Sequence, residues 1–451
     1  MGLGTPEAAP SVATFRKVSR RGRISGKRGI PPAVWEVARM QVLYERCAGI
    51  DVHKKSVTVC LVTPGQRGEP RKEKRSFGTM TRDLLALADW LAQSGCTHVA
   101  IESTGVYWKP VYNILEGICE VVLANARDVK NVPGRKTDVS DAEWLAELLR
   151  HGLIRGSFIP PKPIRDLRDV VRYRKALIRE RASEVNRLQK ILEGMNIKLA
   201  SVASDVLGVS GRSMLEAIAA GCTDAEALAE MARGRLRKKI PELEKALEGR
   251  VDPHHRFLLT RQLRHIDFLD ELIEECSARI EEMMHPFREE ASLVCEITGV
   301  EKRTVEAVIA EIGVDMSRFP SEKHIASWAG VCPGNNESAG KRKSGRTRKG
   351  SPWLKEALVE AAHAASRAKG TYLYALFHRI AARRGKKRAA VAVAHAILVI
   401  VYHMLKNRSH YRELGQQYFD RLNRDAVSRR LVRRLESLGY EVQLKDLEGA
   451  A

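Results

Sequence analysis

Four acidic residues in the first third of the chain have the setting expected of metal ligands. Asp51 interrupts the apolar run GIDV, and Glu102 interrupts the apolar run HVAIES. A carboxylate inside an apolar strand costs free energy unless it binds a partner. Asp138 and Asp141 follow in KTDVSDAEWLAELL, and their spacing of three residues predicts that both lie on one face at the start of a helix.

Together these carboxylates have the chemistry of a two-metal centre. Hard cations such as Mg²⁺ prefer oxygen ligands, and Mn²⁺ accepts the same set. Two ions about 4 Å apart can clamp the attacking and leaving oxygens of a phosphodiester, and they relieve the repulsion between crowded carboxylates. We therefore predict a site for Mg²⁺, with two ions expected, bound by Asp51, Glu102, Asp138 and Asp141.

Each acid taken alone also has a simpler interpretation. Asp51 could end a strand, and Asp138 or Ser140 could cap a helix, since Ser140 and Glu143 have the spacing of a capping box. His53 is interpreted as a turn residue rather than a ligand. The four acids in this order favour the metal site, because buried charges need partners.

Short apolar runs rich in β-branched residues predict the strands that carry these acids. AGIDV, SVTVCLV and KEKRSFGT predict three successive strands, and HVAIES and EVVLAN predict two more. Helical spacing is found over Leu84–Leu91, Val106–Gly117 and Asp138–His151. Three strands followed by alternating helix and strand predict a mixed α/β sheet, in an order that matches the ribonuclease H-like fold.

Two apolar seams with heptad spacing predict a helical middle region. The first is interrupted by Arg174 and Arg181, and small helices are predicted between the seams, from Ser201 to His254. An antiparallel coiled coil or dimerising arm and a plain helical bundle remain equally good interpretations. The seam residues are Val171, Ile178, Val185, Leu188, Leu192 and Met195, and then Ile266, Leu269, Ile273, Cys276, Ile280 and Met283.

The last third of the chain is predicted to be mostly α-helical, with one polar loop from Gly330 to Gly350. This loop is rich in glycine and in cations that can bind phosphates, which are Lys341, Arg342, Lys343, Arg346, Arg348 and Lys349. Its serines, Ser338 and Ser344, are equal candidates for a phosphate contact or for a nucleophile. A solvated basic loop is the simpler alternative.

Three further segments of this region have distinct patterns. ITGVEKRTVEAVIAEIG, residues 297–313, has the form of a helix-hairpin-helix, which can present backbone N–H groups to phosphate, although a plain helical turn would look the same. The apolar run Ala389–Leu405 is shorter than the roughly 20 residues of a membrane span and predicts a buried helix. Five cations between Arg383 and Arg388 either contact nucleic acid or cap helix ends.

The composition indicates a globular protein with a polyanionic partner. The 451 residues include 77 Lys and Arg against 55 Asp and Glu, which gives a net charge of +22. Such a balance favours nucleic acid or an acidic membrane as a partner. Eight cysteines without zinc-like spacing indicate a reducing cytoplasm. Residues 1–45 are basic and are predicted to be a disordered extension.

Five segments resemble the DEDD-type transposases of bacterial insertion sequences, which combine a RuvC-like N-terminal domain with a serine in a separate C-terminal domain. The resemblance extends from about Cys47 to about residue 442. It is carried by GIDVHKKSV, ESTGVYWKPVYNIL, KTDVSDAEWLAELLRHGLI, FPSEKHIASWAGVCPG and YFDRLNRDAVSRRLVRRLESLGYEV.

The resemblance implies a role for each candidate residue. Asp51, Glu102, Asp138 and Asp141 match the D-E-D-D metal site. Ser338 matches the serine that forms a phosphoserine link to DNA, although Ala339 stands where a glycine is usual. A composite site, with serine and metal cluster from different subunits, would account for the lack of a base near Ser338.

The resemblance also implies partners and a domain plan. The partners are DNA, a structured guide RNA encoded by the element, and further copies of the chain in a dimer or tetramer, in the bacterial cytoplasm near the nucleoid and without a membrane. The expected plan is an extension (1–45), a RuvC-like domain (46–157), a coiled-coil linker (158–290), a serine domain (291–410) and a charged tail (411–451).

Two other functions remain open at this stage. A RuvC-type nuclease or junction resolvase would use the four acids and a water molecule, with Ser338 only as a phosphate ligand. A nucleic-acid-binding protein with a decayed site would have no activity at all. The intact set of four acids argues against this last possibility.

Overall fold

The computed structural model describes residues 41–65, 69–103, 105–126, 129, 132, 140–333, 336–338, 341–347 and 349–445. For residues 336–338 and 342–344 it describes the backbone alone. The chain divides into two compact units, Met1–Ser157 and Phe158–Ala451, and each is considered by itself.

The first unit is built on a five-stranded mixed sheet. Its strands are β1 Cys47–Val52, β2 Ser56–Pro64, β3 Pro70–Gly78, β4 His98–Glu102 and β5 Glu120–Ala124. The order across the sheet is β3-β2-β1-β4-β5. The first three strands are antiparallel, and β4 and β5 run parallel to β1. This confirms the mixed sheet that the sequence predicts, in the ribonuclease H-like order.

One face of the sheet is lined by small residues and packs against helix α3, Asp141–Arg150. Cys47 and Gly49 of β1 and Ala100 of β4 lie on this face, opposite Ala142 and Ala146 of the helix. A Cβ atom on Gly49 would lie 2.1 Å from the carbonyl oxygen of Ala142 and 2.3 Å from the amide nitrogen of Ala146. The helix therefore approaches β1 so closely that only glycine fits at position 49.

The opposite face of the sheet is covered by helix α1, Thr81–Gln93. Phe77, in register with Val57, contacts Trp90 of α1, and the Arg75 guanidinium lies 4.6 Å from the centre of the Trp90 ring. Helix α2, Trp108–Leu115, packs beside α1 and buries Val111 and Leu115. Five of the six residues of β1 are buried, so the strand has contacts on both faces of the sheet.

Residues 41–45 are ordered, which corrects part of the predicted extension. The amides of Leu43 and Tyr44 both donate to the carbonyl oxygen of Arg150, at 2.8 and 3.2 Å. The ring of Tyr44 stacks on His98 with centroids 3.9 Å apart. These contacts satisfy a carbonyl at the C-terminal end of α3, so the folded unit begins before residue 46. The remainder of the predicted extension, residues 1–40, lies outside the described residues.

The second unit contains a long antiparallel helix pair, here called the arm. It consists of α4, Lys162–Gly194, and α9, Pro253–Met284. Arg174 of α4 contacts Ser277 of α9, and Arg181, further along α4, pairs with Asp270, which comes earlier on α9. The two helices therefore run in opposite directions. This confirms the two predicted seams as facing helices, in the antiparallel arrangement.

Arg174 does not break the seam, as its sequence position had suggested, but is buried within it. Its guanidinium donates to the Glu306 carboxylate, and only 6% and 4% of the two side chains are exposed. A buried charge is tolerated where an opposite charge and hydrogen bonds satisfy it. The interruption of the apolar pattern is therefore an ion pair that joins the arm to the helix carrying Glu306.

Short helices cap the arm between its two long helices. They share one apolar core with Leu188 and Leu192 of α4 and with Leu259 and Leu263 of α9. This agrees with the small helices predicted between the seams. The helices are α5 Leu199–Val202, α6 Val209–Ala220, α7 Ala225–Glu230 and α8 Ile240–Leu247, with a 3₁₀ turn at Gly234–Lys239.

A further set of helices encloses the core of the second unit, whereas the last two, Tyr418–Leu422 and Arg424–Glu436, contain no buried residue. Among them α15 is long and apolar enough to cross a membrane by length and composition alone, yet residues such as Val393, Ile397 and Val401 are fully buried in this core. The predicted buried helix is thereby confirmed. The helices are α10 Arg288–Cys295, α11 Lys302–Ile312, α12 Glu322–Trp328, α13 Pro352–Ala365, α14 Tyr372–Arg384, α15 Lys386–Asn407, α16 Tyr418–Leu422 and α17 Arg424–Glu436.

The tight packing at Gly49 gives a first prediction. The substitution Gly49→Ala should lower the free energy of unfolding by about 1–3 kcal/mol, because the added methyl group overlaps the backbone of α3. The matched control is Gly156→Ala, where the nearest atom to the new methyl group is a side-chain carbon of Val122 at 3.4 Å. Urea unfolding of both variants measures the effect, and equal stability of the two would refute the packing argument.

Candidate active site

Asp51 and Glu102 lie at the same edge of the sheet. Parallel strands β1 and β4 are in register with Ile50 opposite Ile101, so the next residues on the two strands are Asp51 and Glu102. Residues at matching positions of neighbouring strands point to the same face. Asp51 also shares the face of Gly49, two residues earlier, against which α3 packs. Both carboxylates therefore project from the face that α3 covers.

Helix α3 brings Asp141 toward the same edge. Cys47 contacts Ala146 of the helix, and Gly49, two residues nearer to Asp51, lies against Ala142. The helix therefore runs in the direction opposite to β1. The first residue of the helix, Asp141, therefore lies at the Asp51 end. Negative side chains are favoured there, because the helix N-terminus carries positive partial charge.

The first turn of α3 bears on one of the simpler interpretations of its sequence. The hydroxyl of Ser140 accepts a hydrogen bond from the amide of Glu143, which makes Ser140 the N-cap. Asp138 itself lies outside the described residues. The capping function suggested for Ser140 is confirmed.

Lysines of β3 hold α3 in place on the sheet. Lys72 lies 3.2 Å from carboxylate oxygens of both Glu143 and Glu147, and Lys74 pairs with Glu143. Hydrogen bonds from Lys74 and then Lys72 hold the pKa of Glu143 below its ordinary value. These pairs are half-buried, and they fix the helix in rotation so that Asp141 stays at the edge with Asp51.

His53 contacts Asp51, which the sequence did not predict. Its amide donates to the carbonyl of Ser56 at 2.9 Å, as expected of the turn residue between β1 and β2. Its ring nitrogen Nε2 also lies 3.2 Å from Oδ2 of Asp51. One feature of the sequence could have predicted this contact. His53 and Asp51 are two residues apart at the end of a strand, and such residues lie on the same side of the sheet.

The donor set around this edge suits a hard cation. Burial raises the pKa of the Cys47 thiol to about 12 and that of the Cys60 thiol to about 11. Both thiols therefore stay protonated at neutral pH, and protonated thiols are poor metal ligands. In the part of the chain that the structure describes, the Asp51 carboxylate and the exposed ring of His53 offer oxygen and nitrogen donors, which fit Mg²⁺ or Mn²⁺ better than a thiophilic metal.

The metal centre is not complete within the described part of the chain. Among those residues no three acidic, histidine or cysteine side chains converge closely enough to hold an ion. The described acids are Asp51, Glu102 and Asp141, and Asp138 falls among the residues not described. The described elements thus bring the first two acids to one edge with Asp141 nearby.

The second candidate group lies on a β-hairpin in the second unit, here called the serine hairpin. Its strands are β6 Asn336–Ser338 and β7 Lys341–Ser344, paired with Ser338 opposite Lys341 and Asn336 opposite Ser344. Where the sequence predicted an open loop, the chain forms a hairpin extended by a bridge between Pro333 and Thr347. Ser338 ends its strand beside the two-residue connection, whereas Ser344 lies at the other end of the strand pair.

The predicted phosphate-binding cations accompany this hairpin. Lys341, Arg346 and Lys349 are exposed. The side chains of Arg342 and Lys343, and the whole of Arg348, lie outside what the structure describes. The described cations thus follow Ser338 along the chain, on the returning strand and beyond it, and are exposed to solvent.

The helix-hairpin-helix segment serves as a packing element. Its turn between α10 and α11 contains Gly299, which has φ +83°. A Cβ atom there would lie 2.5 Å from the Ala365 amide nitrogen, so the turn is pressed against α13. The Glu296 carboxylate accepts from the Tyr411 amide at 2.9 Å. These contacts favour the plain helical turn over a phosphate-binding turn.

Two family models described as transposases match the two regions that carry these residues. Residues 48–197 match a family model described as a transposase, the DEDD domain of the IS110 type. Residues 291–378 match a second model, described as the transposase IS116/IS110/IS902 family. The first match contains Asp51, Glu102, Asp138 and Asp141, and the second contains Ser338.

A curated relative points to the same class. The chain is 23% identical over 291 residues to the transposase for insertion sequence element IS1111A of Coxiella burnetii (strain RSA 493 / Nine Mile phase I). The match covers 62% of this chain and 70% of that protein.

A divalent cation should stabilise the first unit through these acids. At a concentration about 100 times its dissociation constant, Mg²⁺ should add about 2.7 kcal/mol to the free energy of unfolding. Asp51→Asn should remove most of this increment. Asp89→Asn, an exposed acid on α1 over the opposite face, should keep it. Urea unfolding with and without Mg²⁺ tests this, and an equal increment in both variants would exclude Asp51 as a ligand.

Proposed function

We propose that this chain is a transposase of the IS110 family that cuts and rejoins DNA through Ser338 and a metal site formed by Asp51, Glu102, Asp138 and Asp141. The observation that carries the proposal is the alignment of Asp51 and Glu102 on one sheet face, with α3 delivering Asp141 to the same edge. Divalent metal ions are typical of such DEDD domains, and we propose Mg²⁺.

The proposed reaction is a pair of transesterifications. The Ser338 hydroxyl loses its proton and forms a bond to a DNA phosphorus, while the bond from phosphorus to a deoxyribose oxygen breaks. That oxygen leaves with a proton, and the protein remains joined to DNA by a phosphoserine. Attack by a deoxyribose hydroxyl of another strand reverses the step, so that DNA is rejoined without hydrolysis.

Each part of the chain has a definite task in this scheme. The four carboxylates would hold the metal, and a bound divalent ion would supply charge stabilisation at the phosphorus and at the attacking hydroxyl. The serine hairpin presents Ser338 beside its exposed cations, which bind the DNA backbone. We further propose that the serine and the acids of one site come from different subunits of a dimer or tetramer, with the arm as the contact between copies.

A structured guide RNA is the other partner that we propose. The net charge of +22 favours polyanionic partners, and the second unit carries cations beyond the hairpin. Arg383, Arg384, Lys386, Lys387 and Arg388 are exposed around the junction of α14 and α15. We propose that these cations hold the RNA while the hairpin engages DNA.

A metal-dependent nuclease or junction resolvase is the second candidate function. A two-metal site built from the four acids would activate a water molecule without any serine. In that case Ser338 is a phosphate contact, and cleavage leaves no protein attached to DNA.

Covalent capture of DNA tests the proposal. The protein is incubated with labelled donor and target DNA, Mg²⁺ and RNA from the element's own flank, and the products are separated on a denaturing gel. Wild type should give a slow, protease-sensitive DNA band. Ser338→Ala should abolish this band, and Asp51→Asn should reduce it by about 100-fold or more, the scale expected when one group that stabilises transition-state charge is lost.

Ser344→Ala is the matched control, because Ser344 lies on the same hairpin at the opposite end of the strand pair. It should form the band normally. Loss of the band in Ser344→Ala but not in Ser338→Ala would transfer the nucleophile to Ser344. Cleavage without any band, retained in Ser338→Ala and lost in Asp51→Asn, would establish the nuclease instead.

A further inference from the structure

The base of the serine hairpin is held in place by a buried carboxylate on α11. Glu311 lies in the last turn of that helix, and 2% of it is exposed. Its Oε2 accepts a hydrogen bond from the hydroxyl of Ser351 at 3.0 Å. The Ser351 hydroxyl in turn accepts from the amide of Leu354 at 3.3 Å, as the N-cap of α13. One hydroxyl therefore connects Glu311 to the point where the hairpin segment enters α13.

The chain on both sides of this point is closely confined. A Cβ atom on Gly350 would lie 2.3 Å from the amide nitrogen of Gly330, so the exit of the hairpin passes directly over its entry. Lys355 of α13 donates to the Thr347 hydroxyl at 2.6 Å. Thr347 also forms the bridge with Pro333 that closes the hairpin. The position of Ser351 thus determines where the base of the hairpin lies.

Glu311 is itself held by the arm. The Arg172 guanidinium of α4 donates to both carboxylate oxygens, at 2.7 and 2.8 Å. Arg168, one turn earlier, donates to the backbone carbonyls of Ala310 and Glu311 at 3.0 and 2.6 Å. A two-pronged pair between arginine and a carboxylate is strong and fixes direction as well as distance.

The arm also contacts the first turns of α13 directly. The Arg172 guanidinium lies 5.6 Å from the centre of the Trp353 ring, and the Arg179 guanidinium lies 4.9 Å from the same point. Lys175, between the two arginines on α4, pairs with Glu356 at 3.3 Å. A stripe of cations on the arm therefore faces an aromatic and acidic stripe on the helix that follows the hairpin.

We propose that Glu311 is a positioning residue for the serine hairpin and that the arm controls the placement of the hairpin through Arg172, Glu311 and Ser351. A change in the arm, such as contact with another copy of the chain, would alter Arg172 and so shift the base of the hairpin. The consequence for catalysis rests on the function proposed above, whereas the mechanical link between arm and hairpin does not.

Hydrogen exchange of the free, full-length protein tests the mechanical link. Glu311→Gln keeps the shape of the side chain and removes its charge, so it weakens the pair of hydrogen bonds from Arg172. Amides between residues 341 and 354 should then exchange about tenfold faster or more, because the base of the hairpin opens locally. Ser351→Ala should have the same effect, and Ser351→Thr, which keeps the hydroxyl, should restore slow exchange.

The matched control is Glu306→Gln. Glu306 is on the same helix, is buried to a similar degree and pairs with an arginine of the same arm helix, Arg174. It pairs with Arg174 and not with Ser351, so loss of its charge should weaken that pair without faster exchange at residues 341–354. Equal acceleration in Glu306→Gln and Glu311→Gln would overturn the proposal.

The rate of covalent capture tests the consequence for catalysis. Glu311→Gln and Ser351→Ala should slow formation of the protein–DNA band by about tenfold or more, as expected for a displaced nucleophile. DNA affinity, measured by fluorescence anisotropy, should change by less than about twofold, since the hairpin cations are retained. Normal rates in both variants would overturn the positioning role. Absence of the band in wild type would refute the serine reaction, while the exchange data would still decide the link to the arm.

Discussion

The close contact between β1 and α3 is the constraint on which the proposed metal site depends. Gly49 leaves no room for a side chain, so the backbone of α3 rests on the strand itself. That contact determines the distance between the helix and the sheet. The ion pairs of Lys72 with Glu143 and Glu147 determine the rotation of the helix about its own axis. Since Asp51 follows Gly49 on the same face, both features place the N-terminus of α3 beside Asp51. A larger residue at position 49 would separate these groups.

Buried charge pairs have a comparable role in the second unit. Arg174 with Glu306 and Arg172 with Glu311 each join the arm to α11. Such pairs add little net stability compared with apolar contacts, but each requires one definite alignment, because an unpaired buried charge is costly. The arm is therefore fixed in register against α11. This is a reason for the chain to retain charges in a helix seam that would otherwise be apolar.

Features with a strong local pattern could be predicted from the sequence. The strands of the sheet appear as short apolar runs in the sequence, and Asp51 and Glu102 are acidic exceptions within those runs. The buried helix α15 appears as a long apolar run. What could not be predicted depends on partners that are distant in sequence. Leu43 and Tyr44, for example, bind the carbonyl of Arg150, more than 100 residues away. The serine hairpin has no apolar alternation, so only its pairing reveals strands.

The most direct test of the account is an anomalous difference map from crystals of the wild-type protein grown with Mn²⁺. The account predicts at least one strong peak at the edge of the sheet, within about 2.5 Å of carboxylate oxygens of Asp51 and of a second acid among Glu102, Asp138 and Asp141. Peaks elsewhere at saturating Mn²⁺, with none beside Asp51, would contradict the proposal that this edge is the metal site.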